Sequence, residues 1–208
     1  MDLYDQFQRP TGRPGKVVAA LMNKGHEALT TWGLTHITIN PDFIVLDVGC
    51  GGGKTVNRLA ALVPDGKVYG IDYSPDMVAF TEKLNKKYVE EGKVEVAEAQ
   101  VDKTGLPSGT FDLVTAVETY YFWPNLPAAF QEIKRILKPG GKLIMVNELI
   151  KDGIYDVDQA EIIKKTHVRL YPLGEIRDML EAAGFVSVKV SVKDKRPWNA
   201  IVAQKPKA

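Results

Sequence analysis

An α/β fold, with a mostly parallel sheet covered by helices on both faces, is predicted by three observations. Residues 43–48, Phe-Ile-Val-Leu-Asp-Val, make a short apolar run that ends in glycines, as a strand buried on both faces reads. Runs of this kind alternate with segments of helical spacing along most of the chain, the pattern of repeated β-α-β units. Glycine and proline breakers separate them, at Pro64-Asp65-Gly66, Gly92, Pro139-Gly140-Gly141 and Gly184.

The first strand is followed by a helix over 55–63, with Val56, Leu59, Ala60 and Val63 on one stripe. Residues 67–72 read as the second strand. Ser74-Pro75 then supplies an N-cap and a proline at the first helical position, and that helix runs to about residue 91. Strands follow at 94–99 and 111–117, an amphipathic helix at 126–137, and a fifth strand at 142–147. A helix over 173–183 leads to strands at 185–190 and 199–203. The connection between these last two is too short for a helical crossover, so they should pair antiparallel, giving seven strands with the last one reversed. Residues 1–41 stand outside the pattern as an N-terminal extension, and 150–172 as an insertion of helical apolar spacing. The whole, 1–208, reads as a single domain.

The 208 residues suffice for one full core. A net charge of +1 gives no bulk attraction to nucleic acid or anionic membrane. The single Cys50 rules out an internal disulfide and fits a reducing compartment. The start, Met1-Asp2-Leu3-Tyr4-Asp5, has neither the basic residues nor the apolar stretch of a signal peptide. No apolar run approaches the roughly 20 residues that span a bilayer. A cytoplasmic location, with no membrane or nucleic-acid partner, is the expectation; the oligomeric state is open.

The strongest local signal is Asp47-Val48-Gly49-Cys50-Gly51-Gly52-Gly53-Lys54-Thr55, between the first strand and its helix. Glycines there let a ligand approach the backbone, and the helix that follows offers N–H groups to an anionic group. A P-loop needs four residues between its first glycine and Gly-Lys-Thr, but the required position holds Val48. A dinucleotide fingerprint needs a third glycine three residues after the second, where Lys54 stands. What remains is acidic-x-Gly-x-Gly-x-Gly, filled by Asp47, Gly49, Gly51 and Gly53. In this the sequence resembles the class I S-adenosylmethionine-dependent methyltransferases, and the resemblance extends from residue 43 to the end of the chain.

The resemblance implies a Rossmann-like sheet and S-adenosyl-L-methionine as cofactor, bound at Asp47, Gly49, Cys50, Gly51 and Gly53. It implies a ribose-binding acid at Asp72, in Ile71-Asp72-Tyr73-Ser74, and Tyr73 is placed to pack on the adenine. The loop after the third strand would meet the adenine edge through Gln100 and Val101 or, as second choice, Asp102. The fourth strand ends in Glu118-Thr119-Tyr120-Tyr121-Phe122-Trp123-Pro124. In this fold such strand ends face the ligand, which makes Glu118 either a cofactor or substrate contact or a helix-capping acid, and Tyr121 and Trp123 pocket walls, with Phe122 assigned to the core. Residues 130–141, closing on Lys138-Pro139-Gly140-Gly141, match the family's post-strand helix and turn.

The reaction so implied is an in-line displacement of the sulfonium methyl by an acceptor atom, in which the protein mainly orients the reactants. Candidate general bases are Glu118, His26, Tyr120 and His167. His26 lies in an extension expected to fold over the cofactor as a lid. His167 and Tyr171 lie in an insertion expected to cap the substrate. Residues 9–16, with Arg9, Arg13 and Lys16, are either a mobile loop or a grip on a substrate anion. No metal site is expected, since His26, His36 and His167 have no metal-ligand spacing. The acceptor is expected to be a small molecule. RNA or protein is the second reading, weakened because Glu118-Thr119-Tyr120-Tyr121 lacks the Pro-Pro of amino-methylating relatives. A cofactor-binding protein without catalysis is the third.

Overall fold

The structure is a computed structural model that describes residues 12, 15, 17, 25–166 and 168–207. It contains α1 (Glu27–Leu34), β1 (Ile44–Val48), α2 (Lys54–Leu62), β2 (Lys67–Asp72), α3 (Pro75–Leu84), α4 (Lys86–Glu90) and β3 (Val94–Glu98). Then come β4 (Phe111–Val117), a 3₁₀ turn (Tyr120–Phe122), α5 (Leu126–Ile136), β5 (Leu137–Asn147), α6 (Asp156–Thr166), α7 (Leu173–Ala182), β6 (Val186–Val192) and β7 (Asn199–Gln204).

The seven strands form one sheet in the order β3-β2-β1-β4-β5-β7-β6. β1 pairs in parallel with β2 and β4, and β4 with β5, while β7 runs antiparallel between β5 and β6. The expected reversal of the last strand is what the pairing shows. The order reverses direction between β1 and β4, the switch point where crevices open at strand carboxyl ends.

Side chains alternate across the sheet, so neighbouring residues feed different cores. Val45, Leu113, Ile144 and Val146 pack with Leu29, Val56 and Leu59 of α1 and α2. Leu46, Val114, Leu143 and Met145 pack on the other face with Phe130, Ile133, Ile176 and Leu180 of α5 and α7. α5 starts where Asn125 accepts a hydrogen bond from Ala128 N–H (3.1 Å), a side-chain N-cap.

Three departures from the sequence reading have local causes. The helix expected over 75–91 breaks at Asn85, whose Nδ2 donates to the carbonyls of Gly53 (3.1 Å) and Thr81 (2.9 Å). β5 begins at Leu137 rather than 142, because the strand carries an irregularity in register where Phe111 pairs with Leu137 and Leu113 with Lys142. The extension contains α1, which was not anticipated. Leu29 and Gly33 are buried, and a Cβ on Gly33 would lie 2.4 Å from the Val146 methyls. Gly33 thus lets α1 settle directly on β5.

The insertion is helical as expected, at α6. Gln159 fastens it by accepting from Ile150 N–H and donating to Ile150 C=O, both 2.9 Å. Glu132 of α5 fastens the loop after β3 in a similar way. It accepts from Thr104 N–H (2.9 Å), from the Thr104 hydroxyl (2.5 Å) and from Arg135 (2.7 Å).

Gly33→Ala should push α1 off β5 and lower stability by about 1–3 kcal/mol, the usual cost of overpacking; urea unfolding measures it. Glu132 is held down to a pKa of about 2, first by Arg135 and then by Thr104, against an ordinary 4.5. A depressed folded pKa stabilises above the unfolded value and is lost as pH falls through the folded one. Glu132→Gln should therefore cost about 1 kcal/mol at neutral pH, discounted for partial solvent screening, and the deficit should fade between pH 4.5 and about 2.

Candidate functional site

At the carboxyl ends of β1, β2 and β4 lies a cavity of about 670 Å³, within the usual size range of small-molecule sites. Its floor is the turn at 49–53. Gly49, Gly51 and Gly53 have φ of 69°, 48° and 76°, left-handed values that favour glycine. Their surroundings differ. A Cβ on Gly49 would strike Thr119 Cγ2 at 2.6 Å, and one on Gly53 would meet Thr81 and Asn85 at 2.9 Å. A Cβ on Gly51 would meet only Gly49 O, at 3.8 Å, so this glycine is the one with open space over it. Gly51 and Gly52 line the cavity, with Lys54 and Thr55 at the start of α2.

The turn is tied to β2. Gly49 and Cys50 N–H donate to Ile71 C=O (2.8 and 3.0 Å), and Gly51 N–H donates to Asp72 Oδ2 (3.0 Å). Asp72 also accepts from Ser74 N–H through Oδ1 (2.9 Å). Burial raises its pKa against these backbone donors. Asp47 is buried and accepts from the Thr115 hydroxyl (2.6 Å). Burial lifts its carboxyl to about 7 despite that bond, with a smaller push from Asp72. Cys50 lines the same wall, and burial drives its thiol well above the usual range.

Opposite the turn, Tyr73, Gln100, Val101 and Asp102 line the cavity. Gln100 is exposed and Val101 buried. The Oδ1 of Asp102 is buried without a hydrogen-bond partner, which makes it an acceptor open to a ligand donor.

The third wall comes from the end of β4. Glu118 has φ 59°, rare for a residue with a side chain and common where function holds the backbone under strain. Its N–H donates to Val146 C=O (2.9 Å). Its carboxylate accepts from Glu148 N–H (2.5 Å) and from the Tyr121 hydroxyl. Nearby, His26 Nε2 stands 3.9 Å from Glu118 Oε2 and 3.6 Å from Glu148 Oε1. Burial opposes protonation of His26, but the two carboxylates outweigh it and its pKa is raised. Glu118 is pushed up to about 7, by burial above all; His26 pulls it down and Glu148 pushes it further up. His26 itself is fixed at the head of α1, where its carbonyl accepts from Thr30 N–H and Oγ1, both 2.8 Å.

The cavity thus gathers His26, Asp47, Gly49, Cys50, Gly51, Asp72, Tyr73, Gln100, Val101, Asp102, Glu118 and Trp123 from the residues singled out in the sequence. Others fall elsewhere. Gly53 does not line it, because its open side is filled by α3. Tyr120 is buried, with its hydroxyl held by the backbone of Tyr171 and its pKa raised by burial, so it does not stand as a base. Tyr121 is buried too and supports Glu118 instead of facing the cavity. Phe122, assigned to the core, lines the wall in its place, beside Trp123 and at the end of the 3₁₀ turn whose Tyr120 and Tyr121 are buried. Tyr171 lies outside the cavity, under Arg169 at 5.0 Å. His167 and most of residues 9–16 lie outside the described residues. Glu148 was missed; the available signal was an acid directly after the fifth strand.

A family profile described as a methyltransferase domain matches residues 46–145, which hold the glycine turn, Asp72 and Glu118. Over these residues the chain is similar to the methyltransferase family, in keeping with the resemblance of its glycine turn to the class I S-adenosylmethionine-dependent enzymes. Among curated relatives, a sterol 4-C-methyltransferase of Caenorhabditis elegans is 34% identical over 132 residues, covering 62% of this chain and 38% of the relative. Nocamycin O-methyltransferase of Saccharothrix syringae is 31% identical over 174 residues, covering 72% and 61%. The chain therefore spans less than two thirds of the length of each. A solved S-adenosylmethionine-dependent methyltransferase from Aquifex aeolicus shares the fold, with a TM-score of 0.75 at 23% identity over 91% of this chain and 98% of that one.

Proposed function

We propose that this methyltransferase-family chain transfers a methyl group from S-adenosyl-L-methionine to a small-molecule acceptor. The observation that carries the reading is the composition of one cavity: open backbone at Gly51 on one side and the carboxylates Asp47, Asp72, Asp102 and Glu118 around it. Such a wall suits a donor with a sulfonium and an ammonium group and repels the diphosphate of a nicotinamide dinucleotide. The relatives' acceptors, a sterol and an antibiotic, support the small-molecule class.

The residues fit the donor part by part. Gly51 and Gly52 admit its amino-acid end to the backbone, with the start of α2 beside its carboxylate. Asp72 offers lone pairs to ribose hydroxyls while keeping its bonds to Gly51 and Ser74. Asp102 Oδ1 suits the adenine amino group, which places Asp102 ahead of Gln100, the sequence's first choice. Val101 and Tyr73 supply apolar faces to the ring.

When bound, the donor supplies an electrophilic methyl on a good leaving group. The protein's task is to hold an acceptor in line with it and to manage the acceptor's proton. Phe122 and Trp123 give the acceptor aromatic walls, and His26 with Glu118 provides the proton-handling end. We read residues 1–208 as one domain, in which the segment carrying His26 closes over the donor and 150–172 covers the acceptor. Arg169 N–H donates to Tyr121 C=O (3.1 Å), which seats that insertion against the turn behind Glu118. Among the described residues no helix is long and apolar enough to cross a membrane, and we assign the chain to the cytoplasm, in keeping with its buried free Cys50.

Incubation with methyl-labelled donor should label the small-molecule fraction of a cell extract. Label confined to RNA or protein would overturn the acceptor class, and NAD binding without binding of S-adenosylhomocysteine would overturn the reading itself. Asp102→Ala should weaken S-adenosylhomocysteine binding about tenfold or more in calorimetry. The same variant should keep or raise the melting temperature, since an unpartnered buried oxygen is removed.

A further inference from the structure

We propose that His26, Glu118 and Glu148 form a binding site for one divalent first-row transition-metal ion at the wall of the cavity. Among the described residues these are the group of His, Cys, Asp and Glu side chains whose ligand atoms converge, all within 4.8 Å of one another. They come from three separate pieces of chain: the head of α1, the end of β4 and the end of β5. An ion at about 2.0–2.2 Å from each ligand needs ligand atoms roughly 3–3.5 Å apart. The His26 Nε2 distances of 3.6 and 3.9 Å are slightly wider. Glu148, 43% exposed, has the freedom to close the difference.

Three further features fit an ion better than an ion pair alone. Glu118 is oriented by two donors, the Tyr121 hydroxyl and Glu148 N–H, as metal-ligating carboxylates are held by outer hydrogen bonds. Two carboxylates face one imidazole, and among the described residues neither has an ion pair with Lys or Arg; a divalent cation balances them. His26 and Glu118 also line the cavity, so three protein ligands leave the ion's remaining positions toward the space assigned to the acceptor, the arrangement of catalytic rather than structural sites. Imidazole with carboxylates suits Zn²⁺, Fe²⁺ or Mn²⁺ over Ca²⁺.

The role of the ion rests on the methyl-transfer reading. With the ion bound, His26 and Glu118 serve as its ligands in place of handling the proton themselves, and an acceptor hydroxyl or thiol on the ion loses its proton to solvent more readily. Its oxygen or sulfur then forms the new bond to the methyl as the donor's sulfur–methyl bond breaks, and the donor sulfur keeps the electron pair.

The test uses tag-free full-length protein, stripped with chelator and titrated separately with Zn²⁺ and Mn²⁺. Calorimetry and elemental analysis should find one equivalent of at least one ion per chain. His26→Ala and Glu148→Gln should each weaken that binding about tenfold or more, while S-adenosylhomocysteine binding to Glu148→Gln stays at the wild-type value and reports a folded donor site. Glu148→Gln retains the backbone N–H that holds Glu118, so it is the variant expected to fold. Absence of binding by wild type, or equal binding in wild type and both variants, overturns the metal site. Loss of S-adenosylhomocysteine binding in wild type overturns the donor reading instead, so the two failures are separate.

Discussion

The close approach of one backbone turn to its neighbours is the constraint on which the rest of the site depends. Gly49 sits against Thr119 at the exit of β4, and Gly53 sits against Thr81 in α3 and Asn85 at its end, with no room for a side chain at either. These two contacts fix the turn between β4 and α3, and Gly51, between them, is left over open space. The three glycines of one motif therefore have different work: two are spacers that pack, and one is a floor. Asp72 completes the arrangement by bonding Gly51 N–H and Ser74 N–H together, which locks β2's exit to β1's.

That division explains how the carboxylates come to share a cavity. Parallel strands end side by side, so acids placed at the ends of β1, β2 and β4 converge although they are far apart in sequence. The fold's hydrophobic alternation is unaffected, because Asp47 and Thr115 satisfy each other within the sheet. Burial raises the pKa of each of these acids, so a cation that enters the cavity would offset that cost and favour their ionised forms.

Much of this was legible in the sequence, and the reason is periodicity. The seven strands, the reversal of the last and the helical insertion follow from alternation and connection length, both local properties. Asp47, Gly51 and Asp72 were legible because a spacing motif places them at strand ends. What was not legible depended on where rings and helices rotate. Residues 120–123 are four adjacent aromatics, and composition cannot say that Tyr121 turns inward to Glu118 while Phe122 faces the cavity. Nor does any spacing join His26 to Glu148, which meet only because Gly33 allows α1 to lie flat on β5. Helix α1 itself went unread because its burial rests on a glycine rather than on a run of apolar residues.

The backbone at Glu118 has a consequence for what that position tolerates. Its left-handed conformation would suit glycine better than any carboxylate, so the local chain gains nothing from the residue it carries. The conformation is maintained by bonds on both sides, from the N–H to β5 and from the carboxylate to Glu148 and Tyr121. Tyr121 thereby becomes a residue whose loss would be felt at a distance from its own ring: without its hydroxyl, the acid would hang on the Glu148 N–H alone, and the crevice would lose part of the fixed edge against which an incoming molecule is aligned.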